Sequence, residues 1–497
     1  MMGAVLALVR LTVVALAVAA LVAVAVRLPL PQLDLSSSAE RAGAAQTATT
    51  SPAGATELAC PGPETIGVRG SSVQQAAAAA SMLTLASAPP GLLVGSAPST
   101  GTISAELLPR GTGDGTTGDG TTGDGARSLR APAAVAVRGV GQKARALTAE
   151  QTTVVTAGDL RGLSSVTCTA PSADTWLVGG GGEQGRRGRL VLANPAANPV
   201  QVRVDVLSTT GRVVSTPGST VAVPARSRLV LLLDALAPGV ASPVVHVRAS
   251  GGAVTATLHD ARLAGTTPRG TDDVAPASAP ARRVLVPGLT VSGRALLRLA
   301  APGSTEAVAE VRLFGPSGPV DPPGGPAVRV PAGGTRDVDL SALPAGTYGV
   351  QVSADVPVVA GAMVERSSGG DGPADHAWLA SALPLRAITG LALVRSEHPW
   401  STTLELTAPG EDAAVELTSV ATGGAQLTRT LRVPAGTSTI TVLSVAQSAW
   451  LQVVPGSGEV VAARTTTYLD GVGRLITAGT LADLPTSEVV PVVRPAG

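Results

Sequence analysis

Hydrophobic and polar positions alternate in many short stretches of this chain. "VQVRVDV" puts Val200, Val202, Val204 and Val206 on one face and Gln201, Arg203 and Asp205 on the other, the period of two expected of a half-buried strand. "TTGR", "PSGP" and "SGGA" interrupt such stretches with glycine, which supplies turns that need positive φ. The arrangement recurs. "LVLANPAANPVQVRVDV", "LLRLAAPGSTEAVAEVRLF" and "LELTAPGEDAAVELTSV" place Leu190, Leu297 and Leu404 at intervals of 107 residues, and Pro195, Pro302 and Pro409 likewise. "VAVPARSRLVLLLDAL" (221–236) and "VRVPAGGTRDVDLSAL" (328–343) keep that offset, and "LRVPAGTSTITVLSVA" (431–446) comes four residues early. Each repeat then closes with a strand pair, such as "VVHVRASGGAVTATLHDA".

Several short strands in each repeat, with no helical period, predict an all-β chain of tandem immunoglobulin-like β-sandwiches. Three clear sandwiches are expected at residues 173–268, 282–368 and 376–497. The last is expected to include the chain's end, "SEVVPVVRPAG", as a strand paired back onto it. Residues 57–172 depart from the pattern, but "TVVTAGDLRGLSSVTC" resembles the later strands, so a fourth, divergent sandwich is expected there. "VQQAAAAASMLTLAS" within it reads as irregular or strand-bound. Residues 110–128, Gly-, Thr- and Asp-rich, read as a disordered insert. Their aspartates Asp114, Asp119 and Asp124 are spaced too widely for a calcium loop. Stacked end to end, such sandwiches predict a rod.

The N-terminus carries a different signal. Residues 11–26 hold no charge and no glycine, and with Arg10 snorkelling the apolar run extends over residues 3–26. That is long enough to cross a hydrocarbon layer of about 30 Å. No A-x-A site ends the run, so residues 1–30 read as an uncleaved signal anchor, with a cleaved secretory signal as the alternative. Residues 31–56 then form a flexible linker. Either reading places the remaining residues outside the cytoplasm, in contact with the membrane or secreted. Cys60 and Cys168 are the only cysteines. An even pair in an exported chain points to a structural disulfide, with free or intermolecular thiols as the other possibility.

Composition narrows the function further. The net charge is +1 over 497 residues, and the interleaved basic and aromatic residues of a nucleic-acid surface are absent. Lys143 is the only lysine and Phe314 the only phenylalanine, a codon bias that makes arginine the default cation. "WLVGGGGEQGRRGRLVLANP" (176–195) looks at first like a phosphate cradle, but its glycines lead into a strand rather than a helix. It is expected to be a hairpin loop. A contact tip for anionic polymer, formed by Arg186, Arg187 and Arg189, is the speculative alternative. His246, His259, His376 and His398 are scattered, with His246 expected to face solvent. His259 and Asp260, adjacent in a strand, point to opposite faces. No nucleophile elbow, metal-ligand spacing or catalytic pair is found, so no catalytic, cofactor or metal residue is assigned and no enzymatic activity is expected. Trp176, Trp378, Trp400 and Trp450 are expected to pack, with a glycan platform as the alternative.

With the repeat in view, "ACPGP" (59–63), "CTAPSADTWLVGG" (168–180) and the "LANP … VPA … GG" run resemble an uncharacterised family of exported proteins of high-GC Gram-positive bacteria. That resemblance implies an N-terminal membrane segment followed by tandem β-rich domains. It brings no catalytic residues. The expectation is a non-enzymatic structural or binding protein of the cell envelope, a membrane-anchored rod with a cell-wall polymer or an envelope protein as partner. The alternative is a glycan-binding accessory protein of an envelope glycosyltransferase system.

Overall fold

The structure, a computed structural model, describes residues 49–52, 54–63, 79–89, 91–93, 101–108, 121–122, 124–129, 133–214, 219–367, 372–394, 398–444 and 446–490. Among them no helix is long and apolar enough to cross a membrane, and the apolar segment at residues 3–26 lies outside them. The chain divides into two compact units, residues 1–51 with 489–497 and residues 52–488. The described part of the former belongs to a two-stranded sheet of Thr49–Pro52 with Ser487–Val490. The expectation that "SEVV" pairs onto the last sandwich is therefore corrected: its partner comes from the start of the chain.

Residues 52–488 form four β-sandwiches with one strand order. In the second, the eight strands run Asp174–Val178, Arg186–Asn194, Val200–Ser208, Thr220–Val223, Ser227–Leu232, Val244–Ser250, Thr255–Ala264 and Thr267–Val274. One sheet has the order first, sixth, third, fourth, and the other fifth, second, seventh, eighth. The fourth sandwich repeats this with eight strands from Ile388–Ala392 to Arg474–Thr480. So does the first, from Ala55–Cys60 to Gly162–Thr167. In the third, no glycine separates the sixth and seventh strands, and Gly346–Ser367 runs through both sheets as one strand. The second–fifth and third–sixth pairings match the B–E and C–F pairs of an immunoglobulin sandwich, but the first strand lies beside the sixth and the seventh beside the second, so the expected immunoglobulin-like topology is corrected to a different β-sandwich order. Tyr348, near the start of the sixth strand, donates from its hydroxyl to the Pro344 carbonyl at 2.9 Å, the corner contact known from such folds.

The alternation decides which side is inside. Leu190, Leu297 and Leu404 sit in their second strands with no exposed surface, each in the core of its own sandwich. Leu83, 107 residues before Leu190, fills the same place in the first sandwich at 1% exposure. The first sandwich is thus a full copy of the repeat. Cys60, at the end of its first strand, and Cys168, just past its eighth, form a disulfide with Cα atoms 4.5 Å apart.

Three expectations change. Ala374–Ala380 pairs with the second half of Gly346–Ser367 and completes the third sandwich, and Thr267–Val274 completes the second. The boundaries expected at residues 268 and 376 therefore move to about 274 and 380. These eighth strands, "TPRGTDDV" and "ADHAWLA", carry charges where a period of two predicts apolar residues. Within the insert at 110–128, Thr121–Thr122 and Gly125–Ser128 are strands, the latter paired to Ala79–Ala86 as the fifth strand of the first sandwich; residues 110–120 lie outside the described residues.

The rod is corrected as well. The eighth strands of the second and third sandwiches touch, as do those of the third and fourth, the fourth and first, and the first and second. The four sandwiches thus close around a common centre. A rod keeps its two end domains apart, whereas here the first sandwich meets the fourth and apolar residues cross the boundaries. Trp378, Met363 and Leu296 enter the core of the second sandwich, and Ala463, Ile476 and Ala478 enter that of the third.

Leu297→Ala is expected to lower unfolding stability by about 2–5 kcal/mol through lost burial and a residual cavity. Leu427→Ala, at a side chain 69% exposed, is expected to change it by no more than about 0.5 kcal/mol. Urea unfolding of both variants checks the pair.

Candidate functional site

Each eighth strand is the edge of its sheet, so its outward N–H groups lack ladder partners. At the centre, side chains satisfy them. The Asp375 carboxyl accepts from the backbone N–H of Leu163 (3.0 Å), Thr271 (3.2 Å), Ile476 (2.9 Å) and its own neighbour His376 (3.0 Å). Those four amides belong to the first, second, fourth and third sandwiches. Asp272 accepts from Trp378 N–H (2.7 Å) and from the Thr477 hydroxyl (2.8 Å). Thr477 Oγ1 in turn accepts from Ser165 N–H at 3.0 Å. Both aspartates are fully enclosed. Burial pushes Asp375 up to about 7, against the pull of His376 and the backbone donors. It pushes Asp272 well above the carboxylate range, aided by the charges of Asp273 and Asp375.

Around this hub, charged groups gather at the boundaries, paired within one sandwich or across two. Asp260 Oδ2 accepts from Arg186 (2.5 Å), from His376 Nε2 (3.1 Å) and from the Trp378 indole (2.9 Å). Burial alone would raise the Asp260 pKa, but Arg186 and His376 hold it well below the carboxylate range. Glu365 is clamped by Arg262 and Arg269 of the second sandwich. Arg298 makes a two-pronged contact to Asp337 (2.8 and 3.0 Å), donates to the Gly180 and Pro243 carbonyls and lies 5.1 Å over the Trp378 ring. Between the first and fourth sandwiches, Arg464 pairs with Glu150, and Arg161 with Asp470 at 3.0 Å on both prongs. A narrow cavity beside Arg464 is lined by Glu150, Ser165, Thr402 and Thr466. Arg464 Nε and Nη1 have no partner, and the space suits about one water. Glu405 receives the Thr403 hydroxyl on one oxygen and nothing on the other. Burial pushes it up to about 8 against the pull of Thr403 and Arg464.

The residues singled out in the sequence fall into this network unevenly. Gly179–Gly182 do not form a hairpin. The strands they join, Asp174–Val178 and Arg186–Asn194, belong to different sheets. The run crosses between them tightly: a Cβ on Gly180, at φ +76°, would meet Leu258 at 2.9 Å. Arg186 is no contact tip either, because the crossing carries it inward to Asp260, at 8% exposure. Arg187 is partly exposed and reaches Asp159 of the first sandwich at 3.2 Å. Arg189 is half-buried, and burial with the charge of Arg187 lowers its pKa. The four tryptophans are 0–7% exposed. His246, expected to face solvent, lies under Trp176 with ring centres 3.8 Å apart, and Asp174 is 3.0 Å from its Nε2. His398 is exposed. His259 does not pair with Asp260: its Nδ1 is 2.9 Å from Asp273 Oδ1 and its Nε2 2.9 Å from Thr271 Oγ1, all three residues being buried. Among the described residues no group of three or more His, Cys, Asp or Glu side chains is placed to hold a metal ion.

Sequence reasoning missed Asp375, Asp272, Glu150, Glu405, Arg298 and Arg464. The available signal was a charge inside an otherwise apolar or Thr-rich strand, as in "LELTA" and "AARTTT". Arg298→Ala removes the counter-charge of Asp337 at the second–third boundary and leaves it the Ser242 hydroxyl, and a loss of about 3 kcal/mol is expected in chemical denaturation. Glu405 generates a pH dependence. Its folded pKa lies above the ordinary value near 4.3, so the folded chain holds a proton that the unfolded chain releases. The stability it contributes is full below about pH 4 and is lost as pH rises to about 8. Glu405→Gln is expected to flatten that part of the fall, on the order of a few kcal/mol, in melts run from pH 4 to pH 9.

Comparison with known proteins adds a family and little else. No curated protein matches the chain. A solved structure described as "Crystal structure of tetra-tandem repeat in extending region of large adhesion protein" aligns at 14% identity over 77% of this chain and 92% of that one. Its TM-score is 0.10, which carries no argument. A family model described as "Family of unknown function (DUF5719)" matches residues 122–444, more than half of the chain. With its repeated sandwiches, buried charges and disulfide, the chain belongs to this family of unknown function.

Proposed function

We propose that this chain is a non-enzymatic structural or binding protein of the cell envelope, held at the membrane by residues 1–30 with its four-sandwich body outside the cytoplasm. The observation that carries this reading is where the charged groups go. Arg186, Arg298, Arg464, Asp260, Asp375 and Glu150 are all buried at boundaries between sandwiches or at the centre. They hold domains to one another rather than lining an open reaction cleft, as a scaffold requires. The Cys60–Cys168 disulfide supports an oxidising compartment, and the apolar run at residues 3–26 supports the anchor. The glycan-binding alternative has lost its aromatic platform and Arg186 to the interior, which leaves Arg187 and Arg189 as its contacts.

Protease added to intact cells that express the full chain is expected to digest it, and the chain is expected to fractionate with membranes. Protection until lysis contradicts the placement. For the glycan alternative, co-sedimentation with isolated wall polymer is expected to show no pelleting above an unrelated exported protein. Saturable pelleting weakened by Arg187→Ala with Arg189→Ala would favour glycan binding instead.

A further inference from the structure

Thr271, His259 and Asp273 stand in the order nucleophile, base and orienter. Thr271 Oγ1 and Asp273 Oδ1 lie 2.9 Å from the two ring nitrogens of His259. A carboxylate only accepts, so Asp273 holds the proton on Nδ1 and leaves Nε2 to take the Thr271 hydroxyl proton. None of the three is more than 6% exposed. An external peptide or glycan has no approach to such a hydroxyl, but the chain's own backbone and small molecules such as water do. The carbonyl of the preceding residue, Gly270, is within reach of Oγ1 through a five-membered ring.

That peptide bond has an unusual setting. Register shifts between Ala261 and Leu263, which pair with Thr271 and Pro268, so Arg269 and Gly270 together oppose Arg262 in a β-bulge. Gly270 has φ +105°, and a Cβ there would lie 2.3 Å from Asp375 Oδ1. Glycine thus admits the carboxyl, whose Oδ1 is 3.2 Å from the Thr271 nitrogen. We propose that the chain cleaves its own backbone between Gly270 and Thr271, with Thr271 Oγ1 as nucleophile and His259 as base and then as acid at the departing nitrogen.

In the first step His259 Nε2 takes the hydroxyl proton and the Oγ1–carbon bond forms to the Gly270 carbonyl. The carbon–nitrogen bond breaks, its electron pair stays on nitrogen, and His259 hands on the proton it took, which makes the nitrogen an amine and resets the imidazole. One water then adds to the ester carbon, the carbon–Oγ1 bond breaks, and Thr271 recovers its hydroxyl. The products are a carboxylate at Gly270 and a free amine at Thr271, with no redox change. This is a single self-processing event and is separate from the scaffold reading, which concerns external substrates. The two pieces stay assembled through the strands on either side of the cut.

The test uses the purified full chain, incubated at pH 7–8 with and without hydroxylamine, which attacks the ester. Denaturing gels, intact mass and N-terminal sequencing are expected to give fragments 1–270 and 271–497, with hydroxylamine speeding their appearance. Thr271→Val, isosteric without the hydroxyl, and His259→Gln are expected to stay whole, while Thr271→Ser cleaves. Asp273→Asn, which acts through His259, is expected to slow cleavage, and Asp273→Glu, which restores a carboxylate, to recover part of the rate. A folded wild-type chain that stays whole in hydroxylamine overturns the proposal, as does a cut at this bond that persists in Thr271→Val. Far-UV circular dichroism and melting of each variant separate loss of cleavage from loss of fold.

Discussion

An unpaired sheet edge is a liability, and this fold has four of them facing one another. A backbone N–H left without a partner in the interior costs about 1–3 kcal/mol, and strand edges invite unwanted pairing. The four eighth strands resolve this without joining into a sheet. Asp375 accepts an N–H from each of the four sandwiches. Asp272 and Thr477 repeat the device between successive neighbours. Contacts made by side chains allow the strands to cross at angles that a backbone ladder would forbid, and the closed arrangement of the sandwiches follows from that freedom.

Closure then dictates what surrounds the hub. Strands that would face water on a free domain are covered, and charges on them must be paired in a low-dielectric interior. Hence Arg298 finds Asp337, Arg464 finds Glu150, and Asp260 gathers Arg186, His376 and Trp378. Groups without a direct ion pair, such as Glu405, are kept protonated by burial instead. The glycine run belongs to the same logic: it carries the chain between two sheets where larger side chains would strike Leu258, Val274 and Trp378.

The repeat made the architecture legible. Leucines 107 residues apart and alternating valines define two-faced strands, and a sandwich is what such strands build. The boundaries were less legible because the eighth strands violate the alternation. "GTDDV" (270–274) and "ADHAWLA" are buried on both faces by neighbouring sandwiches, so no polar face remains there for a period of two to reveal. The rod failed for the same reason, since a pattern within one repeat says nothing about which outer faces meet. His259 with Thr271 and Asp273 was invisible to local spacing, because residues 12 and 14 positions apart meet only across a bulged hairpin. Arg186 looked like a surface cation because the glycines before it read as a loop in solvent.

The central claim is that one carboxyl binds the edges of four domains together. Amide hydrogen exchange of the full chain kept uncleaved, wild type against Asp375→Ala, tests it most directly. The account predicts that protection falls together at Leu163, Thr271 and Ile476, by at least about tenfold for each lost bond worth about 1.4 kcal/mol, while core amides such as Leu297 keep theirs under mild conditions. Unchanged protection at those three amides would contradict it.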